Sequence, residues 1–149
     1  FDGTLPSVLL TFSHRGTTPG FFMARKWDDG QGTTHEIGIN PHYLHERPLM
    51  DLAASFVHDM CHLWQHVYGN RVRVGYHDRQ WGMKMREIGL IPSDTGEPGG
   101  RSIGFRMKQY VAAEGLFDQA VQSLQVDRWL PWQRIPSRSP SPVPWARSS

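Results

Sequence analysis

The apolar residues between positions 48 and 69 recur at intervals of three and four residues. This spacing predicts one amphipathic helix with a single stripe turned toward the core. The stripe consists of Leu49, Ala53, Phe56, Met60, Leu63 and Val67. Pro48 suits the first helical turn, where its missing N–H costs nothing, and Gly69 suits a left-handed residue just beyond the end. We therefore expect one continuous helix between these two residues.

The pattern before this helix indicates a β-hairpin. Residues 21–27 and 35–40 flank a polar segment that contains an Asp29-Gly30 turn, which is typical of two antiparallel strands. Pro41 ends the second strand. Residues 1–20 hold an apolar segment followed by a turn rich in glycine and threonine. That segment leaves a strand and a short helix both open.

A second helical pattern follows the first helix. It begins at residue 76, carries His77 at its start and Trp81, Met85 and Ile88 along its length, and closes at Gly89. Residues 70–74 indicate a loop or a short strand between the two helices.

The patterns after Gly89 are shorter. Residues 92–100 predict a turn-rich loop, which fits a rim or lid of the proposed site and fits a plain connector equally well. Residues 103–112 favour a strand, and residues 116–124 favour a helix. The predicted core positions of that helix are Leu116, Phe117, Ala120, Val121 and Leu124.

Length and composition indicate one folded domain with a tail. The chain has 149 residues and a mass of 17.1 kDa, which suits a single core. We assign the domain to residues 1–130. Residues 131–149, rich in proline and serine, predict a flexible basic tail with Trp132 and Trp145 as docking residues. The sequence has no apolar segment of 18 residues and no signal-peptide pattern, so we expect no membrane association.

The single cysteine, Cys61, excludes an intramolecular disulfide and a four-cysteine zinc ribbon. This fits a reducing compartment, and we expect a cytoplasmic location. Cys61 lies beside the apolar stripe, where a half-buried small hydrophobic residue is expected rather than a ligand or nucleophile.

His58 and His62 are the candidate metal ligands on the first helix. At about 100 degrees per residue, both lie opposite the apolar stripe. Two imidazoles four residues apart on one face can bind one zinc ion. Asp59 occupies the place of the acid in the H-E-x-x-H pattern, whose role is to activate a water molecule. The spacing alone is not sufficient, because His62 and His66 repeat it.

A third ligand must come from another element. Residues eight apart on a straight helix are separated by about 12 Å, so His58, His62 and His66 cannot all bind one ion. His77 is the best candidate because it begins an element that can fold back against the first helix. The other histidines are expected to lie at the surface; these are His14, His35, His42 and His45.

Together these segments resemble the SprT-like family of zinc metalloproteases, which includes the bacterial SprT proteins and the Spartan-type proteases of DNA–protein crosslink repair. The resemblance extends over roughly residues 33–120. The segments that carry it are EIGINPHYL, FVHDMCHLWQHVYG, GYHDRQWGMKMREIGLIPSDTGEPGG and the GLF near residue 115. The family pattern is H-E-x-x-H followed by a third histidine shortly before an aromatic residue and a K-x-M-like helix.

The resemblance implies a small α+β domain of zincin-like type. It would contain a short antiparallel sheet, an active-site helix carrying H-D-x-x-H, and a second helix starting at the third histidine. An edge strand at residues 36–40 would receive an extended peptide by main-chain pairing.

The resemblance also implies the chemistry. His58, His62 and His77 would bind Zn²⁺, and Asp59 would be the catalytic acid or base in peptide-bond hydrolysis. The family usually has Glu at that position, and the shorter Asp puts activity in question. Tyr76, Tyr110 and Arg101 are candidates for stabilising the oxyanion.

Two functions therefore stay open at this stage. The first is a zinc metallopeptidase acting on protein or peptide substrates, including DNA-associated proteins. The second is a zinc-binding adaptor on DNA or protein whose Asp59 is catalytically idle. Nucleic acid would bind through local basic patches or through the basic tail, because the domain as a whole is not basic. The patch residues are Arg71, Arg73, Arg79, Lys84 and Arg86, and separately Arg101, Arg106 and Lys108.

Overall fold

The computed structural model describes residues 1–14, 17–44 and 46–124. It is a mixed α+β structure with small sheets and three helices in these residues. The elements in chain order are β1 (Val8–Phe12), β2 (Gly20–Asp28), β3 (Thr33–Ile39), a 3-10 helix (Pro41–Leu44), α1 (Leu49–Tyr68), β4 (Tyr76–His77), α2 (Arg79–Ile88), β5 (Leu90–Ser93), β6 (Gly104–Phe105), β7 (Lys108–Val111) and α3 (Leu116–Leu124). The expected tail at residues 131–149, with Trp132 and Trp145, lies outside the described residues.

The predicted hairpin is formed by β2 and β3, which pair antiparallel. The uncertain segment before it is a strand, β1, which pairs parallel to β3 on the other side. The sheet is therefore mixed, and the expectation of a purely antiparallel sheet is wrong.

β3 is the central strand of this sheet, in the order β1, β3, β2. The expectation that residues 36–40 form an edge is therefore wrong. Ile37 explains the order: it is 1% exposed and lies between Leu10 and Phe22 of the neighbouring strands. β1 and β2 form the outer edges of the sheet within the described residues.

The predicted first helix is confirmed as α1, with Pro48 as its N-cap residue. The expectation of a left-handed Gly69 is wrong, because φ is −109° and ψ is −163°. Glycine is needed there for a different reason. A Cβ at this position would overlap Oε1 of Gln80 and lie 3.0 Å from the backbone oxygen of Gln65, so a side chain here would displace Gln80.

The burial of α1 differs from the single predicted stripe. Of the stripe residues, Ala53 and Leu63 are fully buried, whereas Val67 is 39% exposed. The helix contacts β2 and β3 on one side and α2 and α3 on another, so it is covered on more than one face. Cys61 is therefore completely buried rather than half-buried, and burial raises the pKa of its thiol.

α2 begins at Arg79 rather than at the third histidine. Asp78 caps it, because Oδ1 of Asp78 accepts the N–H of Trp81 at 2.9 Å. His77 instead lies in β4, which pairs with β6. α2 ends at Gly89 as predicted, and this glycine is in the left-handed conformation, with φ at 96°.

The predicted strand at residues 103–112 is divided into β6 and β7. Arg106 lies between them with φ at 55°, a conformation that interrupts a strand. β7 pairs with β5.

The bounds of α3 agree with the prediction, but only one side of this helix is covered. Phe117 and Val121 are buried and join the core around Trp81, Met85 and Leu90. Leu116 and Leu124 are 62% and 59% exposed, and Ala120 is also exposed, so their predicted core positions are wrong. Within the described residues, the helices are too short or too polar to cross a lipid bilayer.

Candidate metal centre

Three histidine side chains from two elements meet beside α1. His58 and His62 lie one turn apart on α1, and His77 reaches them from β4. Nε2 of His58 lies 2.9 Å from Nε2 of His77 and 3.2 Å from Nε2 of His62. One ligand atom from each ring lies within 4.8 Å of the other two. The fold therefore brings together the three residues that the sequence suggested as ligands.

Acceptors outside this cluster fix the tautomers of two rings. Nδ1 of His77 donates to the backbone oxygen of Gly104 at 2.9 Å, and that oxygen can only accept. Nδ1 of His58 donates to Oε1 of Gln109 at 2.8 Å. The Nε2 atom of each neutral ring is then a bare lone pair. These two lone pairs face each other across 2.9 Å, a contact that a cation between them would make favourable.

The rings are held in the uncharged form that binds metal ions. Burial, with a smaller effect of the neighbouring His77, lowers the pKa of His58 to about 3, against an opposing effect of the Gln109 hydrogen bond. Burial and the two neighbouring rings lower the pKa of His62 to about 2. Burial also lowers the pKa of His77, with the Gly104 bond acting in the opposite direction. Protonation of these rings is therefore disfavoured near neutral pH.

Trp81 is completely buried and contacts all three histidine rings. Its ring centroid lies 4.7 Å from that of His58, 5.3 Å from that of His62 and 4.5 Å from that of His77. The His62 contact is stacked, whereas the other two are edge contacts. Because α2 supplies Trp81 from its first turn, packing of α2 against α1 restricts the orientation of every ligand ring.

The nitrogen atoms fit a small divalent metal ion. A tetrahedral ion with bonds of about 2.0–2.1 Å places neighbouring ligand atoms roughly 3.3 Å apart, close to the observed separations of 2.9 and 3.2 Å. Imidazole nitrogen suits zinc, copper, iron and nickel. With three ligands from the described residues, a tetrahedral ion would have a fourth position left for a further ligand.

Asp59 lies beside the three-histidine group, and its carboxylate is not part of that group. The side chain is 7% exposed, and burial raises its pKa well above the ordinary value. It extends toward the start of β2, where a Cβ on Gly20 would lie 2.9 Å from Oδ2 of Asp59. The absence of a side chain at Gly20 thus makes room for this carboxylate between α1 and the sheet.

The third histidine of α1, His66, has different neighbours. Its ring lies 5.0 Å from that of His35 and 5.9 Å from that of Phe22. Nδ1 of His35 accepts the backbone N–H of Arg25 at 3.0 Å. Burial, then Arg25 and Arg71, lower the pKa of His66. This second histidine pair therefore lies outside the three-histidine cluster and beside two cations.

The remaining histidines also lie away from the cluster. His14 is exposed, and His42 pairs with Glu46 at 3.2 Å on the surface. His45 falls outside the described residues.

The candidates for oxyanion stabilisation have other contacts. Nε of Arg101 donates to Oδ2 of Asp94 at 2.8 Å, which closes the loop between β5 and β6. The ring of Tyr76 makes an edge contact with Phe105. Tyr110 lies in β7, next to Gln109 and opposite Ile91. Any role of these three residues toward a substrate stays a prediction.

The sequence-based reasoning missed Gln109 and the backbone oxygen of Gly104. Both come from the segment after the loop at residues 92–100, which the fold returns to the cluster through β6 and β7. No spacing in the sequence identifies them, because their role depends on long-range pairing. Trp81 belongs to the predicted second helical pattern, in which its spacing of four from His77 is the available signal for its position near that ring.

Comparison with models of protein families gives a match. The model of the SprT-like family matches residues 1–97, which is 97 of the 149 residues of the chain. The match includes α1 with His58 and His62, and β4 with His77; Gln109 lies beyond it. No curated protein and no solved structure matches the chain significantly.

Proposed function

Because this chain belongs to the SprT-like family, which is associated with zinc metalloprotease-like proteins, we propose that it is a zinc-dependent metallopeptidase. The observation that carries the proposal is the convergence of three imidazole nitrogens from α1 and β4. In this uncharged, partly buried cluster two lone pairs oppose each other at 2.9 Å, an arrangement that a bound cation would stabilise.

His58, His62 and His77 would hold the zinc ion. When bound in a site with three protein ligands, zinc acts as a Lewis acid on a carbonyl group and lowers the pKa of water toward 7. Gln109 and Gly104 keep Nε2 of two rings free to coordinate, because each accepts the Nδ1 proton. Such outer partners also raise the basicity of the ligand.

Asp59 is the proposed general base. It is the residue next to the first ligand and has the only carboxylate in the H-D-x-x-H segment. It would accept a proton from the attacking water and return it to the leaving amine, a role worth about 10²–10⁴-fold in rate. Asp is one methylene shorter than Glu. The position of β2 and Gly20 relative to α1 would therefore affect whether the Asp59 carboxylate can reach the attacking water.

The proposed substrate is an extended peptide or an unfolded segment of a protein. β2 is an outer strand of its sheet and packs against α1. A peptide added to this edge would pair through its main chain. The start of β2 approaches Asp59, so the scissile bond would lie near that end of the strand.

We also propose that DNA-associated proteins are among the substrates, with nucleic acid held by exposed arginines. Support comes from Arg71, Arg73, Arg79 and Arg86, which are all exposed. Lys84 is less available, because it lies over the Trp64 ring at 4.9 Å and pairs with Glu87 at 3.2 Å. Binding through these arginines should weaken steeply with salt, and retention that is insensitive to salt would count against it.

A second candidate function is a zinc-binding adaptor without peptidase activity. The burial of Asp59 and its absence from the three-histidine group favour it. An Asp59→Glu variant separates the two functions. A large gain in cleavage would indicate a degenerate site, whereas little change would indicate that aspartate already serves as the base.

The proposed function is tested by metal loading followed by proteolysis. The purified chain is loaded with zinc, its metal content is measured, and a denatured protein is offered with and without single-stranded DNA. Cleavage should require zinc, stop in a His62→Ala variant and persist in a His66→Ala variant. Cleavage that survives in the His62→Ala variant would refute the proposal.

A further inference from the structure

A buried amide on α1 lies one turn beyond the metal-site histidines. Gln65 is 2% exposed. Its Nε2 donates to Oδ1 of Asp78 at 2.7 Å and to Oε1 of Gln80 at 3.2 Å. Asp78 directly follows His77 in the chain. The side chain of Gln65 on α1 thus fixes Asp78, which is adjacent to His77.

Gln80, which accepts a hydrogen bond from Gln65, also holds the beginning of the connection between α1 and β4. Oε1 of Gln80 accepts the backbone N–H of Asn70 at 2.6 Å. A Cβ on Gly69 would overlap Oε1 of Gln80 and lie 3.0 Å from Cγ of Gln65. We call Gln65, Asp78 and Gln80 the amide clamp. It fastens both ends of the connection at residues 69–78 to the helix that carries His58 and His62.

The clamp is not arranged for stability alone. Oε1 of Gln65 is buried, and none of the described residues donates a hydrogen bond to it. A buried acceptor without a partner is unfavourable. Flipping the Gln65 amide would not give this oxygen a donor. The flipped oxygen would face the acceptor oxygens of Asp78 and Gln80, and both hydrogen bonds from Nε2 would be lost. The amide instead provides two N–H donors at one point, which no apolar side chain can do.

His77 is held from its other side by a separate contact. Its Nδ1 bonds Gly104, and β4 pairs with β6 over two residues. This contact sets the position of His77 relative to β6 but not relative to α1. Gln65 fixes the position of His77 relative to α1, because Gln65 lies on the same helix as His58 and His62.

We propose that Gln65 is a positioning residue that sets the distance of His77 from His58 and His62 and so prearranges the metal site. Asp78 transmits the effect, since it receives the Gln65 hydrogen bond and also caps α2. The metal part of this inference rests on the proposed function. The positioning of His77 is a property of the metal-free chain and is tested separately.

The test compares Gln65→Met, which keeps the length of the side chain and removes both donors, with a control, Gln122→Met on α3. Gln122 bonds Asp118 on the surface, outside the metal site. Co²⁺ affinity, the Co²⁺ absorption spectrum and amide hydrogen exchange without metal are measured for each protein. Gln65→Met should lose about 10–100-fold in Co²⁺ affinity, change the spectrum, and accelerate exchange at residues 76–78. The control should do none of these.

The outcomes separate this inference from the proposed function. If the wild type binds no Co²⁺ or Zn²⁺, the proposed function fails, and the exchange comparison still decides whether Gln65 positions His77. Unchanged exchange at residues 76–78 in Gln65→Met, with unchanged Co²⁺ affinity where the wild type binds it, would overturn the inference, as would an equal loss in the control. If Gln65→Met does not fold, Gln65→Glu keeps the shape, places an acceptor against Asp78, and must show the same local effects.

Discussion

α1 carries three histidines at intervals of four residues, and the two ends of this series have very different surroundings. His58 and His62 join His77 in a partly buried cluster, and Nε2 of His58 lies 2.9 Å from that of His77 and 3.2 Å from that of His62. One turn later, His66 is exposed, and its ring centroid lies 5.0 Å from that of His35. The i, i+4 spacing along α1 relates His62 to His58 and to His66 alike. The spacing therefore does not distinguish a metal site from a surface contact.

The difference lies in what the rest of the fold brings to each pair. The first pair receives a third imidazole from β4 and a Nδ1 acceptor from Gln109. The second pair has Arg25 and Arg71 as neighbours, and nearby positive charge opposes the binding of a cation. A metal site on a helix thus requires a further ligand from another element, fixed tautomers and no competing cation.

The largest expected effect concerns the ligands themselves. His62→Ala removes one of three nitrogens and should reduce zinc affinity at least about 100-fold, more than the loss of an outer partner costs. His66→Ala has the same size of change on the same helix and should leave the affinity unchanged. Competition with a chelator of known affinity measures both. An equal loss of zinc affinity in His62→Ala and His66→Ala would contradict the assignment of His62, and not His66, to the metal site.

The second-largest effect is expected for a variant that lowers peptide cleavage but keeps the bound zinc. Asp59→Asn should lower peptide cleavage by about 10²–10⁴-fold while the zinc content stays at the wild-type level, because this carboxylate is not one of the ligands. Asp51→Asn, at an exposed position of the same helix, is the control. Full activity in Asp59→Asn would assign the general base to another residue.

A smaller effect is expected for the outer partner of His58. Gln109→Leu removes the acceptor of the Nδ1 proton and frees the ring to take the other tautomer, so zinc affinity should fall about 10–100-fold. Gln122→Leu, a surface change on α3, provides the baseline. If Gln109→Leu binds zinc as the wild type does, this hydrogen bond does not orient the ring.

The smallest effect concerns the second pair and pH. Burial lowers the pKa of His35 and of His66, with Arg25 near both rings and Arg71 near His66, so the folded state binds fewer protons than the unfolded state. Stability should therefore fall as the pH drops below about 6.5. The contribution should stay under about 1 kcal/mol, since both rings are largely solvated. Urea unfolding of the metal-free protein at several pH values should give a flatter acid limb for His66→Gln than for the wild type.

The sequence was sufficient to predict the parts of the site that depend on local order. α1, the hairpin of β2 and β3, and the bounds of α3 follow from periodicity and turn residues. His58 and His62 follow from helical spacing, and His77 was found because it begins a segment able to return to α1. The fold brings these three side chains together as expected.

The parts that failed depend on long-range packing. The parallel pairing of β1 places β3 at the centre of the sheet, and local patterns contain no information on which strand pairs outside a hairpin. Helix-end patterns predict a left-handed Gly69, whereas the glycine instead leaves room for the side chain of Gln80, eleven residues later. Gln109 is 51 residues from His58, so its role emerges only once β7 has folded beside α1.

A crystal structure of the zinc-loaded protein is the most direct test of the central claim. We expect one zinc ion within about 2.0–2.1 Å of Nε2 of His58, His62 and His77, with Gln109 and Gly104 still bonded to the Nδ1 atoms. An ion held instead by His35 and His66, or by fewer than three members of the cluster, would contradict the claim.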